Sequence, residues 1–516
     1  MSTSPNSEDT GIGGLLGTLR RGIRSRFARD AGTLASGQLL ASAAAFIQGL
    51  VVARILGPEE YGVVLLIISV PTMMFSLLDA RTSAAVVKYL AEFSSERAPA
   101  RVRAMTRLGY SVDMGIAFLT LGLVALVSSW AAEKVVHARE YAGLIVLYST
   151  ALIPKSLSGT SQSVLGVCGQ FRAMAVVQVV AKVVGVVAVL GLVLTGWGIE
   201  GVIYGRMAEL VVTGVTLLVV ASRAVRKTWG GSWVSAPFHA LRDKLREIFR
   251  FLVFTELTEL VNVLSKQADI VLLGYFAGST EAGFYGLAKR MTGVVGMVVG
   301  PLESVLYPRL AKSWAEGDAA ALRKMLRKYA LGMSVPLGAA VLLAIPLTWP
   351  VIHYVVGAEF DPAVPAAQLM LGLMATWLAT SWQRPLFHAM GAVRYLLIAA
   401  TVTNVLSVIG FCLLAGPAGA TGVSAIRFVV GGLFFQVLGL FYARKRLREP
   451  HPAVGTSSAG TGTVRVTEDV TDSATDSATE KATRTESATA TTAKYATDGS
   501  PTNATENTTT DAGGSR

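Results

Sequence analysis

The sequence predicts an all-α polytopic membrane protein of about twelve transmembrane helices, set out as two pseudo-symmetric bundles of six. Three observations predict it. Only 16% of the 516 residues are charged and 52% are hydrophobic, with a mean hydropathy of +0.52, whereas a soluble domain carries about a quarter charged residues. Apolar runs long enough to cross about 30 Å of hydrocarbon recur along the chain. A short helix-exit pattern, Gly-x-x-Glu-x-Gly, closes one apolar run at Gly57, Glu60 and Gly62 and another at Gly278, Glu281 and Gly283.

In chain order, the basic segment 1–30 is too polar for a cleavable signal, and it is followed by a run long enough to span. Spans are predicted near 33–53, 62–80, 109–131, 142–165, 173–195 and 201–222 in the first half. Those of the second lie near 251–276, 286–308, 330–352, 366–388, 395–415 and 421–442. Arginine and lysine blocks stand before the first span, between spans two and three, six and seven, eight and nine, and after the twelfth. An even count puts every block on one side, and the positive-inside rule then makes both termini cytoplasmic in a cell membrane. The segment 311–328, with Trp314, Leu322, Met325 and Leu326 among cations, reads either as a surface helix or as a connector.

The basic linker 223–250 separates a bundle over 31–222 from a second over 251–445. Six helices per half leave both halves in the same orientation, related by an axis along the membrane normal. Sliding one exit motif onto the other sets Gln38 opposite Glu259 and Gln48 opposite Asp269. Residues 446–516 are acidic and rich in Thr, Ser and Ala; they lack the apolar surface to fold and read as a disordered cytoplasmic tail.

Charge inside the membrane is the most informative chemistry, since an ionisable group at mid-bilayer costs roughly 2.5–3.5 kcal/mol on insertion scales. Span seven carries Glu256, Glu259, Asn262, Lys266 and Asp269, which at helical spacing share an arc of about 140°. That stripe faces a wet cavity or the other half, as an ion-coupling site or as a structural network in which Lys266 pairs Glu259 or Asp269. Lys155, Lys182, Arg290, Arg384 and Arg81 are the leading candidates for an electropositive surface suited to phosphate, with Arg206, Glu209 and Arg427 nearby in the pattern. Each alone also reads as a snorkelling or bundle-paired side chain.

Other classes are excluded. The net charge of +12 is placed in loops that orient helices, not in a nucleic-acid surface. Cys168 and Cys412 lie far apart in apolar segments and give neither a disulfide framework nor a metal cluster. The glycine-rich 11–17 lacks a Gly-Lys-Ser/Thr ending, so it is no phosphate loop. No soluble stretch is large enough for an ATPase, and the external loops are too short for a glycosyltransferase or polymerase.

Several stretches together resemble a known family. Val51-Val52-Ala53-Arg54-Ile55-Leu56-Gly57-Pro58-Glu59-Glu60-Tyr61-Gly62 is very similar to the first-helix exit of polysaccharide exporters and O-antigen flippases. These belong to the multidrug/oligosaccharidyl-lipid/polysaccharide superfamily. Asp269 to Gly274 running on to Gly283-Phe284-Tyr285-Gly286-Leu287-Ala288-Lys289-Arg290 resembles that family's opening of the second half. Val305 to Ala311 with Ala315-Glu316-Gly317-Asp318, and Gly357-Ala358-Glu359-Phe360, resemble later junctions. The resemblance covers about residues 30–445. It implies bundles around a central cavity that alternates between inward-open and outward-open forms. The substrate implied is a polyprenyl- or dolichyl-(pyro)phosphate-linked oligosaccharide, carried to the outer leaflet for surface polysaccharide or glycoprotein glycan assembly. No cofactor is implied; H⁺ or Na⁺ coupling or the membrane potential would drive the step. Membrane lipids and the pathway's glycosyltransferases or polymerase would be its neighbours. The competing expectation is a cation-coupled multidrug or small-molecule exporter of the same superfamily, using Glu256, Glu259 and Asp269.

Overall fold

The computed structural model describes residues 26–79, 82–317 and 319–448, and the side-chain surroundings of all of these except 26–38, 254–266, 294–305, 319, 321, 393 and 448. Arg81, the first 25 residues and the tail therefore lie outside the described residues, as do the side chains of Glu256, Glu259, Asn262 and Lys266. All described residues belong to one compact unit, and no strand occurs among them.

Twelve helical rods follow one another. They are α1 (26–56), α2 (58–78, resuming as Thr82–Ser95), α3 (Pro99–Ala131 with a wider turn to Val136), α4 (Ala142–Thr150, Leu152–Ser156 and Ser158–Val167), α5 (Phe171–Leu194) and α6 (Gly198–Trp229). After a linker over 230–244 come α7 (Leu245–Ala277), α8 (Ser279–Ala315), α9 (Ala319–Tyr329 running on to Val351–Val356), α10 (Val364–Ala379 and Gln383–Ala389), α11 (393–418) and α12 (420–448). Among the described residues, seven stretches are long and apolar enough to cross a membrane; two of them, Leu39–Leu78 and Arg394–Leu447, each hold two rods joined at a glycine. The protein is a multi-pass membrane protein.

Most rods overrun the apolar spans at the end nearer the basic blocks. Arg101, Arg103 and Arg107 lie on α3, not before it, and the linker narrows because α6 continues to Trp229. Segment 311–328 is the end of α8, a turn at Gly317 and the first turns of α9, with Leu322 and Leu326 buried and Arg323 and Lys324 turned to solvent. It joins two rods instead of standing as a separate surface helix.

Turns alternate between two faces. One face, here the basic face, has turns at Arg97, Gly169, 230–244, Gly317 and Gly391; the opposite face has turns at Gly57, His137, Gly196–Gly198, Gly278, Gly357 and Gly419. Gly57 and Gly278 take φ of 74° and 89°, a region closed to most side chains, so each breaks a continuous apolar helix into a hairpin. The repeat thus encodes the same corner in each half.

The buried apolar residues divide along the same axis. One cluster draws on both halves and gathers residues beside the opposite-face turns, among them Leu56, Tyr61, Val135, Val193, Phe284, Phe360 and Ala420. Toward the basic face there are two separate clusters: Tyr89, Phe93, Met105 and Leu241 form one together with Ile248 and Leu252 from the start of α7, and Leu310, Leu326, Leu386 and Phe387 belong to the other. The halves therefore share a core on the opposite face and, apart from the first turns of α7 docked on the first half, part toward the basic one.

Candidate functional site

At the shared core the two exit motifs meet each other. A Cβ on Gly62 would lie 1.8 Å from the Ser279 carbonyl oxygen, and one on Gly283 would lie 2.1 Å from the Pro58 carbonyl oxygen. Backbone rests on backbone, which only glycine permits and which suits association inside a bilayer, where close packing replaces the hydrophobic drive. Phe360 fills the space beside the contact, edge-on to Tyr61 at 6.2 Å and to Phe284 at 6.1 Å; each such pair adds about 0.5–1.5 kcal/mol beyond burial. Arg54 at the end of α1 donates to the carbonyls of Tyr354 and Val355 at 3.0 and 2.7 Å, where the last turn of α9 leaves them unused. Glu281 accepts the Ala420 N–H at 2.7 Å and so caps α12, whereas Glu60 is exposed. Equivalent glutamates have come to do different work.

Below this seam sits Asp269. It is fully buried and carries four donors: Lys289 Nζ at 2.8 Å, Arg427 Nη2 at 2.6 Å, Tyr285 Oη at 2.7 Å and the Ile270 N–H at 2.9 Å. At 1.5 Å per residue from the turns at Gly278 and Gly419, these groups lie about 10–16 Å inside the opposite face, near mid-membrane. The described partners of Asp269 stand on α8 and α12, two rods that sequence spacing along α7 cannot reveal; Lys266, the partner that spacing offered, lies outside the described side chains. Lys289 was visible only as part of the motif after Gly283.

Arg290, the next residue, points to the other half. Its guanidinium lies against Gly49, donates to the Ala45 carbonyl and reaches the Tyr61 hydroxyl at 3.5 Å, while its Nε is buried without a hydrogen-bond partner. No carboxylate pairs it among the described residues. A half-buried cation at mid-depth, on the seam between halves and without a counter-ion, is suited to receive a phosphate oxygen pair. Gln48, the counterpart of Asp269 in the first half, is buried on the adjacent α1 and brings no charge.

Lys155 and Lys182 fall into a separate group within the first half, with Arg206 and Glu209. Lys182 pairs Glu209 at 2.9 Å. Arg384 is exposed, seven residues before the Gly391 turn, and so about 10 Å from the basic-face end of α10; it joins neither group. A buried carboxylate that sequence reading passed over, Asp113 on α3, accepts the Thr160 hydroxyl at 2.7 Å and is held inside the first bundle. An open pocket of about 720 Å³ on the basic face, lined by Arg101, Arg103, Arg242 and Asp243, lies away from all the mid-membrane charges. No cluster of metal-ligand type occurs among the described residues.

Comparison with known proteins agrees with this architecture. The succinoglycan biosynthesis transport protein ExoT of Rhizobium meliloti (strain 1021) is 26% identical over 267 residues, covering 51% of this chain and 49% of that protein. The match thus spans about half the length of that relative. Among solved structures, an inward-facing multidrug resistance MATE family transporter of the MOP superfamily superposes with a TM-score of 0.64, at 16% identity, over 79% of this chain and 94% of its own. The lipid II flippase MurJ in an inward closed conformation gives 0.62, at 14% identity, over 80% and 87%. These likenesses establish the fold. The polysaccharide biosynthesis protein family matches residues 27–314, from α1 through nearly all of α8 and including both exit motifs; the chain belongs to that family.

Proposed function

We propose that this protein is a flippase that carries a polyprenyl- or dolichyl-(pyro)phosphate-linked oligosaccharide from the cytoplasmic to the outer leaflet by alternating access, for assembly of a surface polysaccharide or glycan. One observation carries the reading: the halves share a core on the Gly57 face and form two separate clusters toward the basic face, bridged there by the first turns of α7, with Arg290 on the seam and no carboxylate beside it among the described residues. With the basic loops inside a cell membrane and both termini cytoplasmic, this is the inward-open form, ready to admit a headgroup made in the cytoplasm. Arg290 takes the phosphate, and the lipid tail stays in the bilayer beside the protein.

The protein acts as a carrier, not a catalyst. Its drive needs no cofactor: with the interior negative, an outward-moving anion gains about 2.3 kcal/mol per charge per 100 mV. The cation-coupled exporter is weaker at Asp269, because Lys289 and Arg427 already occupy the carboxylate that an incoming H⁺ or Na⁺ would need. Glycosyltransferases or a polymerase of the pathway are the proposed neighbours. Deleting the gene and assaying lipid-linked glycans by leaflet tests the reading: accumulation on the cytoplasmic side is expected, and an unchanged distribution would sink it.

A further inference from the structure

The first half contains a polar cluster that the seam does not use. Lys182 on α5 and Arg206 on α6 each donate to one oxygen of Glu209, Lys182 at 2.9 Å to Oε1 and Arg206 to Oε2. Lys155 on the broken rod α4 comes to the same place: a Cβ on Gly214 of α6, five residues beyond Glu209, would lie 2.9 Å from the Lys155 backbone nitrogen. The Lys155 side chain has no hydrogen bond or ion pair with a described residue.

The backbone is cleared around these groups. A Cβ on Gly185 of α5 would lie 2.7 Å from the Glu209 side chain, and one on Gly214 of α6 would lie 1.9 Å from the Pro154 carbonyl, the peptide that leads into Lys155. Two glycines therefore bring α4, α5 and α6 together where the charges are. Counting from the helix ends at Ala142, Leu194 and Gly198 beside the opposite-face turns, the cluster lies about 12–20 Å deep. Side-chain exposures of 28% for Lys182 and 33% for Arg206, against 13% for Glu209, show that the cations open outward around a shielded carboxylate. At that depth they must face a wet cavity.

A closed structural network would match each cation with an acceptor. Here three cations share one carboxylate whose two oxygens are both taken, so the third cation has no anion among the described residues. Glu209 acts as a fixed internal anion that orients Lys182 and Arg206 and leaves room for a second, exchangeable one beside Lys155.

We infer that Lys155, Lys182 and Arg206 form an oxyanion site distinct from Arg290, taking a carboxylate, sulfate or phosphate group. On the flippase reading, on which this assignment of the source rests, the group is an acidic substituent of the glycan, held by the first half while Arg290 holds the lipid phosphate.

Sulfate-induced thermal stabilisation of the full chain in detergent reads the site without any glycolipid. Arg290→Gln protein should still respond to sulfate, and adding Lys155→Gln should weaken the apparent affinity about tenfold or more, with Lys155→Arg restoring it. Unchanged helical content and monodispersity in Lys155→Gln keep a folding defect out of the result. A sulfate response that is the same with and without Lys155 overturns the site. The source is read with an undecaprenyl-diphosphate oligosaccharide bearing one glucuronate and its carboxyl-reduced counterpart. Wild type should bind the acidic form about tenfold tighter, and Lys155→Gln should bind the two alike. Equal binding by wild type, with the sulfate response intact, gives the site to a free inorganic anion and overturns the glycan assignment. If wild type binds neither glycolipid, the flippase reading fails, while the sulfate arm still decides the site.

Discussion

Asp269 shows most clearly how one residue's role is settled by partners from elsewhere in the chain. Read along α7, it is one member of an acidic stripe with open alternatives; in the structure it is a fully buried carboxylate shared by Lys289 and Arg427. Removing one side of such an arrangement strands the other, at a cost of about 3–5 kcal/mol. Asp269→Asn should therefore lower the thermal unfolding temperature markedly in detergent, and replacing sodium by choline should leave the wild type unchanged. A sodium-dependent wild-type transition, with Asp269→Asn as stable as wild type, would restore the cation-site alternative. The residue type and its place in the membrane were legible in the sequence. Its partners were not, because α8 and α12 approach through tertiary packing that no helical periodicity encodes. Arg290 was legible as a candidate cation, but that no carboxylate pairs it among the described residues required knowing what lies across the seam on α1.

Among the elements, the hairpin corners were the most legible, because glycine at a helix break leaves a sequence signature. Gly57 and Gly278 do adopt backbone angles that only glycine holds comfortably. What the pattern could not tell is that its last glycines, Gly62 and Gly283, serve packing of one half against the other and not the turn itself. Gly62→Leu cannot be relieved by a side-chain shift, since the clash is with the Ser279 carbonyl. It should part the halves on the Gly57 face. In a chain with Cys168 and Cys412 replaced by serine, Val63→Cys, at a position buried to 6% exposure, should be unreactive to a bilayer-impermeant maleimide and become reactive once Gly62→Leu is added. Equal protection in both would mean the exit contact does not hold that face shut. Helix ends were less legible than helix existence. Hydropathy stops where charge begins, whereas α2, α3 and α6 continue as amphipathic helices past the hydrocarbon.

For the whole molecule, composition and the basic-loop pattern were enough to predict the helix number and the division into halves, because the bilayer permits so few alternatives. The conformation was not readable, since the same sequence must stabilise both ends of the transport cycle. It emerges from the buried clusters: one core shared on the Gly57 face, two separate cores toward the basic face. A shared core at the Gly57 end, separate clusters at the basic end and a mid-membrane arginine with no carboxylate partner among the described residues underlie the proposal that a phosphate-bearing lipid glycan enters from the basic side and is held by Arg290. The most direct measurement is flipping of a fluorescent undecaprenyl-diphosphate oligosaccharide in proteoliposomes, followed by a quencher that cannot cross the bilayer. The account predicts protein-dependent flipping in the wild type, slowed at least about tenfold by Arg290→Gln at unchanged thermal stability. No protein-dependent flipping, or an Arg290→Gln rate equal to wild type, would contradict it.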